Sequence, residues 1–512
     1  MRSFPLGLPS RVLAALALVL LAAGCSSDDQ KATLGSSTGA DGGGSPDSGT
    51  GYVPTGPTAK VVKLLTGGKG LNLAAARPDP LPSGWVEEEY EVQGTAVSYA
   101  SAGDAALPAD GTYALREDQS ADYRTRIVVR RPGTNADFNG TVVVEWLNVS
   151  GGVDANPDYA YTSAELFRGG YVWIGVSAQL IGIEGGQVLV STPVSDQAGA
   201  GKGLRVLDPD RYSDLHHPGD AFAYDLFTQV GRLARVPEAA GGVLGDLAPK
   251  RVLGIGESQS AFMLTTYVDG IHPLAHAFDG FLLHSRGGGA PPLGEAGKGI
   301  DLLQGLGAQA TRIRTDLAEP VLMMETETDL LYVINYFPAR QDDSDKVHTW
   351  EIAGTAHADA YLLGDIGATF GCPKALNAGP GHFVAKSALR HLDQWVRTGE
   401  APPTSPRLDV QGSPPSYAVD GNGNVTGGIR TPEVDVPVDT LSGAPPGGSI
   451  ACQLFGSTTP LPADRLATLY SSAAAYTAAY GAAADSAVQS GFVLPEDKDA
   501  LLADAHPDRI AP

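Results

Sequence analysis

The residues best placed to do chemistry are Gly256-Glu257-Ser258-Gln259-Ser260. An apolar run, Arg251-Val252-Leu253-Gly254-Ile255, leads into them, and a helix-like run, Ala261-Phe262-Met263-Leu264-Thr265-Thr266-Tyr267, leads out. A serine at the apex of a strand, sharp turn and helix is in the setting of a nucleophile elbow, where a strained backbone presents the hydroxyl. Small residues two before and two after it let strand and helix close on each other. Gly256 meets the first requirement. Ser260 stands where glycine is usual, so the pattern is G-x-S-x-S, and an ordinary strand-to-helix loop is the competing reading.

A serine hydroxyl needs a base to take its proton. Among ten histidines, His357 is the candidate. It lies in Trp350-Glu351-Ile352-Ala353-Gly354-Thr355-Ala356-His357-Ala358-Asp359, a strand followed by a loop of small residues. From the C-terminal edge of a sheet its imidazole can reach the nucleophile, accept the proton and return it to the leaving group. The supporting acid is sought in Pro320-Val321-Leu322-Met323-Met324-Glu325-Thr326-Glu327-Thr328-Asp329. Alternation puts Glu325, Glu327 and Asp329 on one side of an extended segment. Three crowded carboxylates repel, so one should face His357 while the others face solvent or a cation. The strand must end before its carboxylate can approach an imidazole. That favours Asp329 or Glu327, and the choice stays open. Serine, then acid, then histidine is the chain order of the α/β-hydrolase triad.

Such a triad needs two donors for the oxyanion. One is the N–H of Gln259, at the start of the helix after the serine. The other is expected from the loop Asn148-Val149-Ser150-Gly151-Gly152, whose glycines permit close backbone approach. Elsewhere, Asp220 reads as the cap of a helix from Ala221. Arg286, just past a strand end, reads as the partner of a structural carboxylate. Leu466, Leu469, Tyr470, Ala473 and Tyr476 recur at helical spacing and read as one packing helix.

The elements that must carry these groups alternate. Strands are expected at Glu87–Tyr99, Tyr123–Arg131, Thr141–Leu147, Tyr171–Ala178, Arg251–Gly256, Ala277–His284, Pro320–Glu325 and His348–Ala353. The later runs are continuously apolar, as buried parallel strands require. Helices are expected at Ala160–Arg168, Ala221–Ala234, Ala261–Asp269 and His382–Arg397, the last stopped by Gly399 and Pro402-Pro403. The fold class is α/β: a mostly parallel central sheet with helices on both faces, followed by a C-terminal helical extension.

The N-terminus sets the compartment. Arg2 and Arg11 precede an apolar stretch from Val12 to Ala23, short of the about 20 residues that span a bilayer. It reads as a secretory signal. Leu21-Ala22-Ala23-Gly24-Cys25 resembles a bacterial lipobox, which implies cleavage before Cys25 and lipidation of its thiol. Residues 1–24 are then a signal peptide, 25–57 a lipidated Gly/Ser-rich tether, 58–400 the catalytic core and 401–512 an extension packed on it. The net charge of -23 argues against nucleic acid and against an anionic membrane patch, leaving the lipid anchor as the membrane contact. Cys372 and Cys452 remain as an even pair in an oxidising space, and a bridge would close a loop of about 80 residues worth roughly 4 kcal/mol. No Cys/His spacing suggests a zinc site, and no cofactor is expected.

The chain resembles the bacterial alpha/beta hydrolase domain proteins that carry a G-E-S-Q-S elbow and a long C-terminal extension. The resemblance rests on Val144-Glu145-Trp146-Leu147-Asn148-Val149-Ser150-Gly151-Gly152, the elbow, Glu327-Thr328-Asp329 and Gly354-Thr355-Ala356-His357. It continues through Gly428-Ile429-Arg430-Thr431-Pro432-Glu433-Val434-Asp435-Val436-Pro437 and Cys452-Gln453-Leu454-Phe455-Gly456. It implies a serine hydrolase, and an envelope esterase acting on a small-molecule or lipid-like ester is the leading expectation. The alternative is a lipid-anchored scaffold on a hydrolase fold that has lost activity.

Overall fold

A computed structural model describes residues 56–74, 80–104, 106–189, 199–301, 309–449 and 451–510. The expected signal peptide, Cys25 and most of the expected tether lie outside the described residues. Nine strands form one sheet in the order β1-β2-β3-β5-β4-β6-β7-β8-β9. The first three are β1 (Lys60–Leu64), β2 (Trp85–Ser101) and β3 (Leu115–Pro132), and they pair antiparallel. β1 had no sequence counterpart among the expected strands. β3 also meets β5 antiparallel, and from there the sheet is parallel: β4 (Thr141–Trp146), β5 (Val172–Val176), β6 (Arg251–Glu257), β7 (Gly280–His284), β8 (Val321–Thr326) and β9 (Val347–Ile352).

The parallel strands are continuously apolar because both faces are covered. Val142, Val144, Val252, Phe281, Leu283, Val321 and Met323 point into one core, with α2 (Ala223–Leu233) and most of α3 (Gln259–Thr266). Val143, Leu253, Ile255, Leu282, Leu322, Met324 and Trp350 point into the other, with α1 (Pro157–Arg168) and α4 (Gly381–Thr398). Truncating one of the fully buried tryptophans Trp146, Trp173 or Trp350 would cost about 3–5 kcal/mol. Four buried acids interrupt the pattern: Glu145, Glu257, Glu325 and Glu351. Glu145, buried mid-strand in β4, accepts from the N–H groups of Asp158 and Tyr159 at 3.1 and 2.9 Å and from Trp173 Nε1 at 2.8 Å. It docks the N-terminus of α1, where Pro157 starts the helix and the dipole favours an acceptor.

From β4 the chain crosses by α1 to β5 on one side, and β6 then enters on the other side of β4. The reversal leaves a crevice beyond the C-terminal ends of β4 and β6, the usual ligand position in open α/β sheets. After α4, which Gly399 ends in the left-handed region, the chain returns to the catalytic edge. Ile429 forms a parallel bridge with Ile352 at the end of β9, and Asp439–Ser442 pairs with Ser457–Pro460 in a hairpin. The extension is thus less purely helical than expected. The anticipated packing helix is also broken: Ala463–Leu469 stops, Ser472 caps a new helix by accepting from Ala475 N–H, and Ala473–Gln489 follows. Leu466, Tyr476 and Tyr480 still share one small core. Cys372 and Cys452 are disulfide-bonded, with Cα atoms 5.5 Å apart. Among the described residues no helix is long and apolar enough to cross a membrane.

Candidate active site

Ser258 sits between β6 and α3 at φ 56, ψ -120, a strained conformation for a residue with a side chain. Its N–H donates to the His284 carbonyl at 2.8 Å, tying the turn to the next strand. A Cβ on Gly256 would lie 2.8 Å from that of Ser260. Glycine at the first position is therefore what makes room for serine at the second.

His357 follows β9 through a turn in which Gly354 has φ 73. Its Nε2 lies 2.8 Å from Ser258 Oγ and its Nδ1 2.6 Å from Asp329 Oδ1. With Nδ1 protonated toward the carboxylate, Nε2 is left as the acceptor for the serine proton. Asp329 is held by a turn that alternation alone does not foresee. β8 ends at Thr326, which caps a short helix, Glu327–Leu331, so Asp329 becomes its third residue and completes a capping box. Its Oδ2 accepts from Thr326 N–H at 2.8 Å, Thr326 Oγ1 at 2.6 Å and Ser285 Oγ at 2.6 Å. Burial pushes the Asp329 carboxyl up, but His357 and the donors from Ser285 and Thr326 outweigh it and hold it below the ordinary value.

Glu327 does not reach the imidazole. Its carboxylate accepts from Gly354 N–H at 2.6 Å and Gly443 N–H at 2.8 Å. Nor do the spare carboxylates face solvent: Glu325 and Glu327 are both fully buried, within electrostatic reach of Arg286 and Arg430 respectively. Burial, then Asp329, raises Glu325 well above its usual range against the lowering pull of Arg286.

Ser285, Thr326 and Glu257 were not anticipated as site residues. Ser285 carries no sequence signal, whereas Thr326-Glu327-Thr328-Asp329 matches the Ser/Thr-x-x-Asp/Glu capping-box pattern that alternation alone passes over. Glu257 lay inside the recognised motif. Its Oε1 is 3.5 Å from His357 Nε2, and burial, then Asp158, Asp329 and Glu145, drive its carboxyl far above the ordinary value. The shift disfavours a charged Glu257, whereas Asp329 is held below its ordinary value, so Asp329 is the acid better suited to stay charged beside the imidazole.

The oxyanion donors need one correction. As the first helical residue, Gln259 has an N–H with no partner inside α3. The Asn148 N–H, by contrast, donates to the Ala155 carbonyl at 2.9 Å. The next amides are engaged too: Val149 N–H on Gln259 Oε1 at 3.1 Å, Ser150 N–H on Asn148 Oδ1 at 2.8 Å and Gly152 N–H on Val149 O at 2.9 Å. Gly151 is the one amide of this loop without a hydrogen bond among the described residues. Asn148 instead latches the loop through its side chain, donating to Glu257 O at 3.2 Å. The Gln259 side chain adds a second latch by donating to Gln179 Oε1.

Val149 and Gln179 also line a cavity of 280 Å³ with Leu180, Ile181, Leu189 and Ile300. Asp220 borders it, but not as a cap. Its carboxylate accepts from Leu180 N–H at 2.7 Å and Ile300 N–H at 2.8 Å, joining two loops of the wall. Arg286 meets structural carboxylates only through space, close enough to Glu325 and Asp269 to exert a lowering pull on both carboxyls. It is buried and donates to the carbonyls of Gly287 and Thr311 at 3.1 and 2.5 Å, not to a carboxylate. A larger cavity, 630 Å³, lies among β2, β3 and Gln229, and none of the site residues lines it.

The chain matches solved structures at low identity. One is a putative dienelactone hydrolase from Klebsiella pneumoniae, 12% identical, covering 60% of this chain and 99% of that one with a TM-score of 0.28. A fungal esterase from Rhizomucor miehei is 12% identical over 60% of this chain and 85% of that one, TM-score 0.30. A glucuronoyl esterase from Solibacter usitatus is 10% identical over 59% and 81%, TM-score 0.27. No curated protein matches the sequence. The family described as "Alpha/beta hydrolase domain" matches residues 54–503, nearly everything after the tether, and the chain belongs to it.

Proposed function

We propose that this protein is a serine-dependent carboxylic-ester hydrolase. One observation carries the reading: the unbroken chain from Ser258 Oγ through His357 to Asp329, at 2.8 and 2.6 Å, on a strained elbow. His357 Nε2 takes the serine proton as Oγ attacks the ester carbonyl, and Asp329 stabilises the imidazolium that forms. The developing oxyanion is met by the Gln259 N–H and by the uncommitted Gly151 N–H. Collapse expels the alcohol, protonated by His357. Water then repeats the sequence on the acyl-enzyme and releases the acid. The cavity lined by Val149 and Gln179 is slightly smaller than the about 300 Å³ at which ligand sites generally begin, and its walls mix aliphatic Leu180, Ile181, Leu189 and Ile300 with polar Gln187, Asp220 and Asp301. That supports esters with one compact apolar group over long acyl chains. The Cys25 lipobox supports an envelope location.

A fluorophosphonate probe and a panel of nitrophenyl esters of increasing acyl length test the reading. Wild type should label at Ser258 and turn over short esters best. Ser258→Ala and His357→Ala should each lower turnover by about 10⁴-fold or more, and the double variant should be little worse, because the pair acts as a unit. Near-wild-type hydrolysis by Ser258→Ala would sink the proposal.

A further inference from the structure

At the end of the sheet opposite Ser258, three donors converge. His272 opens the short helix His272–Ala275, and His276 closes it in the left-handed region at φ 45. Glu319 stands just before β8. His272 Nε2 lies 3.0 Å from Glu319 Oε2, and His276 Nδ1 lies 3.8 Å from Glu319 Oε1. One ligand atom from each of the three residues falls within 4.8 Å of the others.

The geometry is poor for a simple ion pair. His272 is fully buried, its ring set edge-on against Phe281 with centroids 4.8 Å apart. Neither of its ring nitrogens makes a hydrogen bond, and neither does Glu319 Oε2, although that oxygen is only 3.0 Å away. Buried polar atoms left unbonded forfeit the hydration they had in water. Two ligands of one tetrahedral ion behave differently, because they converge on a point between them and do not face each other. With each donor about 2.0–2.1 Å from the ion, they stand roughly 3.3–3.4 Å apart. The two observed separations, 3.0 and 3.8 Å, bracket that spacing.

We infer that His272, His276 and Glu319 form a binding site for a divalent first-row transition metal, with zinc the ion that fits the donors. Two imidazole nitrogens and one carboxylate oxygen suit zinc, whereas calcium and magnesium take oxygen ligands. Three protein donors leave a fourth position for water. The half-exposed His276 ring, 60% accessible against 0% for His272, provides the entry path. The bound ion would clamp the segment after α3 to the start of β8. Sequence spacing misses the site because Glu319 joins the histidine pair only through the pairing of β7 with β8. The length of β7 separates it from the catalytic edge by roughly 15 Å, so its role is structural.

The test uses full-length, tag-free protein stripped with EDTA and titrated with zinc by calorimetry, alongside thermal unfolding. Wild type should bind one equivalent saturably and gain Tm on doing so. His276→Asn is chosen because its side chain is accessible and asparagine tolerates the left-handed region. It and Glu319→Gln should each weaken zinc binding by more than about tenfold and abolish the Tm gain, with ester turnover unchanged. The absence of saturable zinc binding in wild type, or unchanged affinity in both variants, would show an imidazole–carboxylate pair and overturn the inference.

Discussion

Glu327 and Gly443 meet across the junction of core and extension: the Gly443 N–H donates to Glu327 Oε2 at 2.8 Å. The approach is so close that a Cβ on Gly443 would lie 2.5 Å from the Glu327 Cβ. This contact separates the two acids of the Glu327-Thr328-Asp329 stretch by role. One carboxylate joins the extension to the His357 loop, and the other holds the imidazole.

Asp329→Asn and Glu327→Gln, measured side by side, should therefore diverge. The first should lower ester turnover by about 10⁴-fold, because the amide favours the wrong imidazole tautomer. The second leaves the imidazole contact intact and should stay within about tenfold of wild type. Equal losses would mean that both acids act on His357.

Glu327 should also make stability depend on pH. Burial raises its carboxyl to about 7, against the lowering pull of the Gly443 and Gly354 N–H groups. The folded protein thus retains a proton that the unfolded chain releases near 4.5. A raised folded value gives stability that is full below the unfolded pKa and is lost as pH rises through about 7. Glu327→Gln removes this titration and should flatten unfolding free energy against pH over that window. Urea titrations at several pH values check it, and parallel curves for both proteins would refute it.

The bridge between Cys372 and Cys452 spans a sequence separation of 80. Cys452→Ser should lower unfolding free energy by about 2–4 kcal/mol under non-reducing conditions. Dithiothreitol should do the same to wild type and nothing to the variant. Two freely alkylatable thiols in native wild-type protein would contradict this.

The proposed lipid anchor rests on the lipobox at Cys25. Cys25→Ser should move the protein from the detergent phase to the aqueous phase, or leave it unprocessed. A variant that partitions like wild type would rule out the lipid anchor.

Most of the scaffold was legible because buried parallel strands leave an unambiguous trace: six residues of β8 and six of β9 are buried without exception. The serine, the histidine and the pair of candidate acids were legible for the same reason, since they follow strand ends. What was not legible depends on local turns and distant partners. Period-two alternation fails at Thr326 because its hydroxyl caps a helix and rotates Asp329 toward His357. Asp220 looked like a cap from its own neighbours, yet its partners Leu180 and Ile300 come from other loops. Asn148 seemed a free amide until Ala155 folded back onto it.

The bridge between Ile352 and Ile429 has a consequence for the rim of the sheet. An edge strand with unpaired backbone groups is a template for other chains. At one rim, β1 is exposed and bears Lys60 and Lys63, charges that discourage such pairing. At the other rim, Ile429 donates to the Glu351 carbonyl at 2.7 Å and accepts from Ala353 at 3.0 Å, so the protein's own tail occupies the vacant side of β9. Cutting the chain after α4 would not release a smaller enzyme. It would unsheathe a sticky apolar border beside His357.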